Sequence, residues 1–268
     1  GLPLVARREN VAGTLNLSEA ELRTVTGGTN GFGQIIVGVD TTQSGLITVN
    51  DAGGLSGLFT SLRLRGEMGD LAIDSDIDLT SAAGAGFFIE GQGNTTLLAG
   101  NISTNGGPIS ITDSVRVEGT ITLDAADDGG GGASANGGDI TITGNIGAEG
   151  GMDDTLTLTS DGGTDGAVTV GGNVGSGMVH GAPALDLVGF TVVGGQVDLQ
   201  NVDVDGTGSA VGMQVSGSTD INLNGTTYQI VAATGDDTIT FNGGGGVTLN
   251  NDVTVSGGGT TGDDITFT

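Results

Sequence analysis

Four adjacent aspartate pairs carry the most suggestive chemistry in this chain: Asp127-Asp128, Asp153-Asp154, Asp236-Asp237 and Asp263-Asp264. Two carboxyl groups held together can serve as acid and base on a glycosidic bond. Carboxylates at turns can also ligate a hard cation such as Ca²⁺. Successive residues of a strand point to opposite faces, so an adjacent pair converges only at a turn. All four pairs border turn residues, where Asp is favoured because its side chain bonds the backbone two residues on. A turn role is therefore the first expectation for each. The segments 233–244 (ATGDDTITFNGG) and 261–268 (TGDDITFT) are similar to fragments of the glycine–aspartate nonapeptide that binds Ca²⁺ between turns of a β-roll. That motif works as tandem copies, and here the two fragments lie 27 residues apart. Asp236, Asp237, Asp263 and Asp264 stand as weak calcium candidates, and no other cofactor is expected.

The remaining chemistry is sparse. His180 is the single histidine, so no histidine metal cluster or histidine acid/base pair can form. Ser176 lies four residues before it on a glycine-rich stretch, and there is no G-x-S-x-G elbow. His180 is expected on an exposed loop. Lyase chemistry on polysaccharides calls for a basic side chain beside acidic ligands. All six arginines (7, 8, 23, 63, 65 and 116) precede residue 117, and there is no lysine. The glycine runs 129–132 and 243–246 lack the lysine and the following helix of a phosphate loop, so they are expected to be corners or loops. The pairs Thr120/Thr122, Thr155/Thr157 and Thr238/Thr240 would suit a flat ice-binding array if they shared successive rungs. Separations of 35 and 83 residues predict that they do not. No catalytic residue is expected.

Composition narrows the class. Of 268 residues, 56 are glycine, about one in five against a usual ~7%. Glycine costs ~1 kcal/mol at each helical position, which argues against any large helical domain. Val, Ile, Leu and Phe total 70 residues, above the ~20% level below which highly charged chains stay unfolded. Thirty-two acidic residues against six basic ones give −26. Such a surface repels phosphate backbones and anionic membranes, so nucleic-acid binding is excluded. No membrane insertion is expected either, since no apolar run approaches the ~18 residues of a spanning helix. The chain has no cysteine, hence no disulfide and no thiolate metal site.

The elements that must position these residues are short strands. Runs such as TLNL, LITV, DITIT, TLTLT, AVTV and VTL alternate apolar and polar positions, and Gly, Asn or Asp closes each one. That is the strand period with turn punctuation. Residues 18–22 (SEAEL) could form one helical turn capped by Ser18. A larger pattern, apolar-x-apolar-x-x-x-apolar, recurs at Leu71/Ile73/Ile77, Ile109/Ile111/Val115, Ile140/Ile142/Ile146, Val168/Val170/Val174 and Val247/Leu249/Val253. Recurrence every 20–50 residues marks a repeat architecture. Three-to-five-residue strands, glycine corners and a Val/Ile/Leu interior with few aromatics point to an all-β fold: a parallel β-helix, or β-solenoid, of roughly 19–32 residues per rung with corner loops. The third apolar positions, Ile77, Ile102, Ile121, Ile146, Val174 and Val197, are expected to form one interior column.

Residues 14–49 (TLNLSEAELRTVTGGTNGFGQIIVGVDTTQSGLITV) resemble the recurring element of filamentous-haemagglutinin-like bacterial adhesins, very long exoproteins built of β-strand repeats. Residues 137–177 and 234–268 resemble their G-D-I-T-F-type repeats. Leu15, Leu17, Ser18, Glu19 and Leu22 match the first motif, and their implied role is structural. The resemblance implies a segment of a longer secreted protein, a right-handed parallel β-helical shaft at the bacterial cell surface that carries adhesion or surface display, often exported by an outer-membrane partner. Its implied partners are a surface ligand (a glycan, a host surface or a neighbouring cell) or like copies in a filament. The expected organisation is one continuous unit over 1–268. It comprises LNLSEAEL-type rungs over 1–70, regular repeats over 71–180 with a loop protruding near 124–138, looser rungs over 181–232 and regular repeats over 233–268. The alternatives are a carbohydrate-processing β-helix enzyme and a Ca²⁺-stabilised, self-assembling β-roll fibre.

In a solenoid of this charge, like charges recur from rung to rung, each close pair repelling by ~1 kcal/mol in water. The melting temperature is expected to rise from low to moderate NaCl, as the screening length falls to ~8 Å at 0.15 M. Ca²⁺ at matched ionic strength should raise it further through the Asp-rich turns. Superimposed Ca²⁺ and NaCl melting curves would reduce the ion effect to screening.

Overall fold

The structure is a computed structural model. It describes residues 4–6, 33–39, 45–51, 54–58, 60–66, 69–91, 95–127, 136–150, 154–175, 177–179, 182–184, 186–205, 212–231, 238–257 and 264–268. The motif residues 15–22, Gly129 to Gly132 and His180 lie outside them. Among the described residues there are strands and no helices.

The strands stack as a three-faced β-solenoid. Face A is a ten-stranded parallel sheet from Leu4–Ala6 to Gly246–Leu249. Face C is an eight-stranded parallel sheet from Ile77–Leu79 to Asp264–Phe267. Face B has five strands, from Ile47–Val49 to Ile146–Ala148, then three, from Val202–Val204 to Thr254–Gly257. Single bridges Ile146↔Val174 and Val174↔Val202 carry face B across the gap. One antiparallel hairpin, Gly177–Val179 with Ala182–Ala184, interrupts the coil there.

Period-two alternation places the core. Within a strand such as Thr155–Thr159 the odd positions face out and Leu156 and Leu158 are buried. Each buried position then sits on its like in the next rung. On face A the row Ile109, Ile140, Val168, Val197, Ile221 is fully buried and in register. A few aromatics share this interior with Val, Ile and Leu. Phe87, Phe190, Phe241 and Tyr228 are among the largest fully buried side chains. Tyr228 packs edge-on to Phe241 with centroids 5.9 Å apart. Its hydroxyl donates to the Leu199 carbonyl at 3.0 Å and accepts from the Gly225 N–H at 2.9 Å. Burial pushes its pKa up to about 12.

Two registers differ from expectation. The third apolar positions are all buried, but they belong to four columns on three faces, not to one column. Ile77 and Ile102 stack on face C, where Ile102 meets Leu123 and not Ile121; Ile146 and Val174 stack on face B; Val197 lies on face A. The seven-residue pattern spans a corner, so its last position falls on whichever face follows. The threonine pairs are also closer than their spacing suggested: Thr120 and Thr122 lie directly beside Thr155 and Thr157 on the next rung. Here the insertion before Asn136 stretches one turn to 35 residues. The shortest turn between paired strands, Thr95 to Ser114, takes 19, as the repeats predicted, so turn length exceeds the expected range only at its upper end.

Corners explain the glycine content. A Cβ on Gly144 would strike the Asp113 carbonyl, and one on Gly172 the Gly144 carbonyl. At the corner from face C to face A, Gly107, Gly138 and Gly166 stack in the same way, each against the carbonyl of the rung before. Gly243 to Gly246 form this corner in the last rung, as expected of a glycine corner. Gly138→Ala should therefore force rungs apart and cost about 1–3 kcal/mol as an overpacked site. Gly119→Ala, in open space but with φ +77°, should cost only about 1 kcal/mol of backbone strain. Urea midpoints of the two variants test this ordering.

Candidate functional site

Polar corner side chains bond mostly to the neighbouring rung. The Asp76 carboxylate accepts from the Asn101 N–H at 2.8 Å, and Asp139 from the Ala167 N–H at 2.9 Å. Asparagines form a ladder: Asn145 Oδ1 accepts from the Asn173 N–H at 2.9 Å, Asn201 Nδ2 donates to Asn173 Oδ1 at 3.1 Å, and Asn201 Oδ1 accepts from the Thr226 N–H at 2.7 Å. The bonds from N–H groups satisfy backbone donors that the corner leaves outside the sheet ladders, and the Asn201–Asn173 bond links one rung's side chain to the next. The sequence signal for the ladder was the recurrent Asn after glycine or glutamine at 145, 173 and 201.

The aspartate pairs are part of this system where they are described. Asp154 is 1% exposed and caps a turn, accepting from the Gly119 N–H at 2.6 Å and the Gly150 N–H at 3.3 Å. Asp127 lies at a bridge beside the loop, and Asp264 opens the last strand, exposed and paired in register with Thr238. Asp128, Asp153, Asp236, Asp237 and Asp263 lie outside the described residues. Among the described residues no group of three His, Cys, Asp or Glu side chains is placed to hold a metal ion. The described arginines face glutamates: Arg65 Nε donates to Glu90 at 2.7 Å, Arg63 also pairs with Glu90, and Arg116 pairs with Glu149 at 2.7 Å. Arg63 also covers the Phe88 ring at 4.5 Å.

One carboxylate cluster escaped sequence reasoning. Leu187 bridges Val204 in parallel register, which sets Asp186 beside Asp203 on the next rung, with Asp205 two residues further along. Burial, then the charges of Asp203 and Asp205, push the Asp186 carboxyl up to about 6. Gln229 Nε2 donates to Asp203 Oδ2 at 2.9 Å. The chain has no basic side chain after Arg116 except His180. The cluster can exchange a proton near neutral pH. No sequence spacing announced it, because the hairpin excursion between Val174 and Leu187 creates the juxtaposition.

The threonine row on face C continues from Thr122 and Thr157 through Thr191, Gln214, Thr240 and Thr266. Its neighbouring row holds Thr120, Thr155 and Gly189 and later Thr238 and Asp264. It is one threonine row, not a two-dimensional array. Compared with protein-family models, with curated proteins and with solved structures, the chain matches none.

An acid whose folded pKa is raised binds its proton more tightly in the native state, so stability falls as pH climbs from about 4 to about 6. Asp186→Asn should raise the melting temperature at pH 7.5 and leave it unchanged near pH 4. Equal shifts at both pH values would remove Asp186 as the source.

Proposed function

We propose that this chain is a shaft segment of a secreted bacterial adhesin or cell-surface filament, which carries adhesive surfaces away from the cell. The observation that supports this most directly is the unbroken rung-to-rung register of face A, ten parallel strands with like residues stacked on like. At the sheet spacing of ~4.8 Å that is a rod of about 43 Å. The polar side chains at its corners serve the next rung. The resemblance of residues 14–49, 137–177 and 234–268 to adhesin repeats supports the finer reading of a bacterial surface protein, and the charge of −26 suits a solvated, non-collapsing shaft. The partner on this reading is a surface ligand, and the chain itself carries out no reaction.

Cells displaying the chain on an outer-membrane anchor should bind glycan-coated or cell-coated surfaces better than cells displaying the anchor alone. The purified chain should release no product from pectin, alginate or hyaluronan. Product release that disappears in Asp186→Asn would overturn the shaft reading in favour of a carbohydrate-processing enzyme.

A further inference from the structure

Five asparagines in this chain precede a glycine: Asn30, Asn105, Asn136, Asn224 and Asn242. Asn–Gly is the dipeptide at which a polypeptide most readily deamidates. The glycine nitrogen gives up its proton and attacks the asparagine Cγ, ammonia leaves, and water opens the resulting succinimide to aspartate or isoaspartate. Glycine favours the attack because it carries no Cβ and its backbone turns freely. A stacked coil calls for this dipeptide repeatedly. Asparagine suits a corner because its side chain bonds nearby backbone. Glycine suits the next position where a Cβ would strike close backbone: the Ser160 carbonyl at Gly137, the Asn201 nitrogen at Gly225.

Wherever such a dipeptide is described, its glycine N–H is engaged. Gly106 donates to the Ala125 carbonyl at 3.1 Å, Gly137 to the Thr164 carbonyl at 2.7 Å and Gly243 to the Thr268 carbonyl at 2.9 Å. Asn30–Gly31 lies outside the described residues. At Gly225 a side chain takes this part. The buried Gly225 N–H donates to the Tyr228 hydroxyl at 2.9 Å, and that hydroxyl donates to the Leu199 carbonyl at 3.0 Å. Tyr228 is the chain's one tyrosine. It stands in the face B row Val202, Tyr228, Val255, whose other members are aliphatic. The two hydroxyl bonds are what a phenylalanine there would lack.

An N–H held in a hydrogen bond is kept protonated and fixed in direction, so ring closure must wait until the segment opens locally. Reaction would also cost this architecture more than most. Isoaspartate routes the main chain through the former side chain and lengthens it by one carbon, while neighbouring rungs must keep the ~4.8 Å sheet spacing. Either product adds a negative charge to a chain already at −26.

We infer that Asn224–Gly225 is a latent deamidation site kept unreactive by the Tyr228 hydroxyl, and that Asn105–Gly106 and Asn136–Gly137 are kept so by the carbonyls of Ala125 and Thr164. The fold thus protects the dipeptides that its own corners demand. The inference stands on these hydrogen bonds alone, so its failure leaves the shaft reading untouched.

Peptide mass spectrometry of the purified chain, aged at mildly alkaline pH with and without denaturing urea, reads deamidation and isoaspartate at each site. The folded chain should react at Asn105, Asn136 and Asn224 roughly tenfold or more slowly than the unfolded chain, since each must first open. Tyr228→Phe should speed Asn224 alone by about two- to tenfold, the loss of one net hydrogen bond, with Asn105 as the internal control. Amide hydrogen exchange of the unaltered chain should find the Gly225 N–H protected. Should Tyr228→Phe lose its β circular-dichroism spectrum, that exchange measurement decides in its place. Equal rates in the folded and unfolded chains overturn the inference. So does a folded Tyr228→Phe variant in which Asn224 ages no faster, and so does a Gly225 N–H that exchanges as in an unfolded peptide.

Discussion

Each rung of this chain must approach the next to about 4.8 Å, not only along its strands but around its corners. Strands meet that spacing easily, because their side chains stand perpendicular to the stacking direction. Corners do not, since a turning backbone points its Cα substituents at the rung beside it. The stacks Gly107–Gly138–Gly166 and Asp113–Gly144–Gly172 are the places where this constraint is tightest, each glycine facing a carbonyl that a Cβ would strike. The glycine content, the shortness of the strands and the variable turn length all follow from it: strands and corners are fixed, and extra residues leave the coil as excursions such as the hairpin at 177–184.

The same spacing gives the acidic residues their work. A corner leaves backbone N–H groups outside the sheet ladders, and the nearest acceptors are the short side chains of the neighbouring corner. Asp76, Asp139, Asn145 and Asn201 fill that role one rung away from the groups they accept from. Asp154 does so almost fully buried. A carboxylate there gains charge-assisted hydrogen bonds and needs no cation. The abundance of aspartate therefore reflects corner capping across much of the structure, while the cluster at Asp186, Asp203 and Asp205 sets carboxylates against each other, as Asp127 and Asp161 do at Asp124. The Asp186 cluster sits where the coil is interrupted, at the root of the hairpin.

A linear architecture also localises function differently from a globular enzyme. Stacked rungs fill their interior with Leu, Ile, Val and four aromatics. What the described residues offer are long faces and repeated side-chain rows. Those features suit contact with extended partners, and they ground the shaft reading more firmly than any individual residue does.

How much of this was legible beforehand can be judged element by element. The period-two runs, the glycine punctuation and the recurrence of apolar-x-apolar-x-x-x-apolar determined the fold class, because local alternation and turn chemistry are written in consecutive residues. GDITITGNIG and GAVTVGGNVG even announced their own stacking, and Ile140 and Val168 are paired. Column membership was not legible: Ile77, Ile146 and Val197 share a place in the pattern and lie on three faces, since corner geometry decides which face follows. The adjacency of Thr122 and Thr157 was hidden by an insertion whose residues add length but leave the register unchanged. The pairing of Asp186 with Asp203 was hidden because an excursion returns the chain beside a strand that sequence distance does not indicate. Alternation fixes what each strand buries, while only the closed coil decides what each residue meets one rung away.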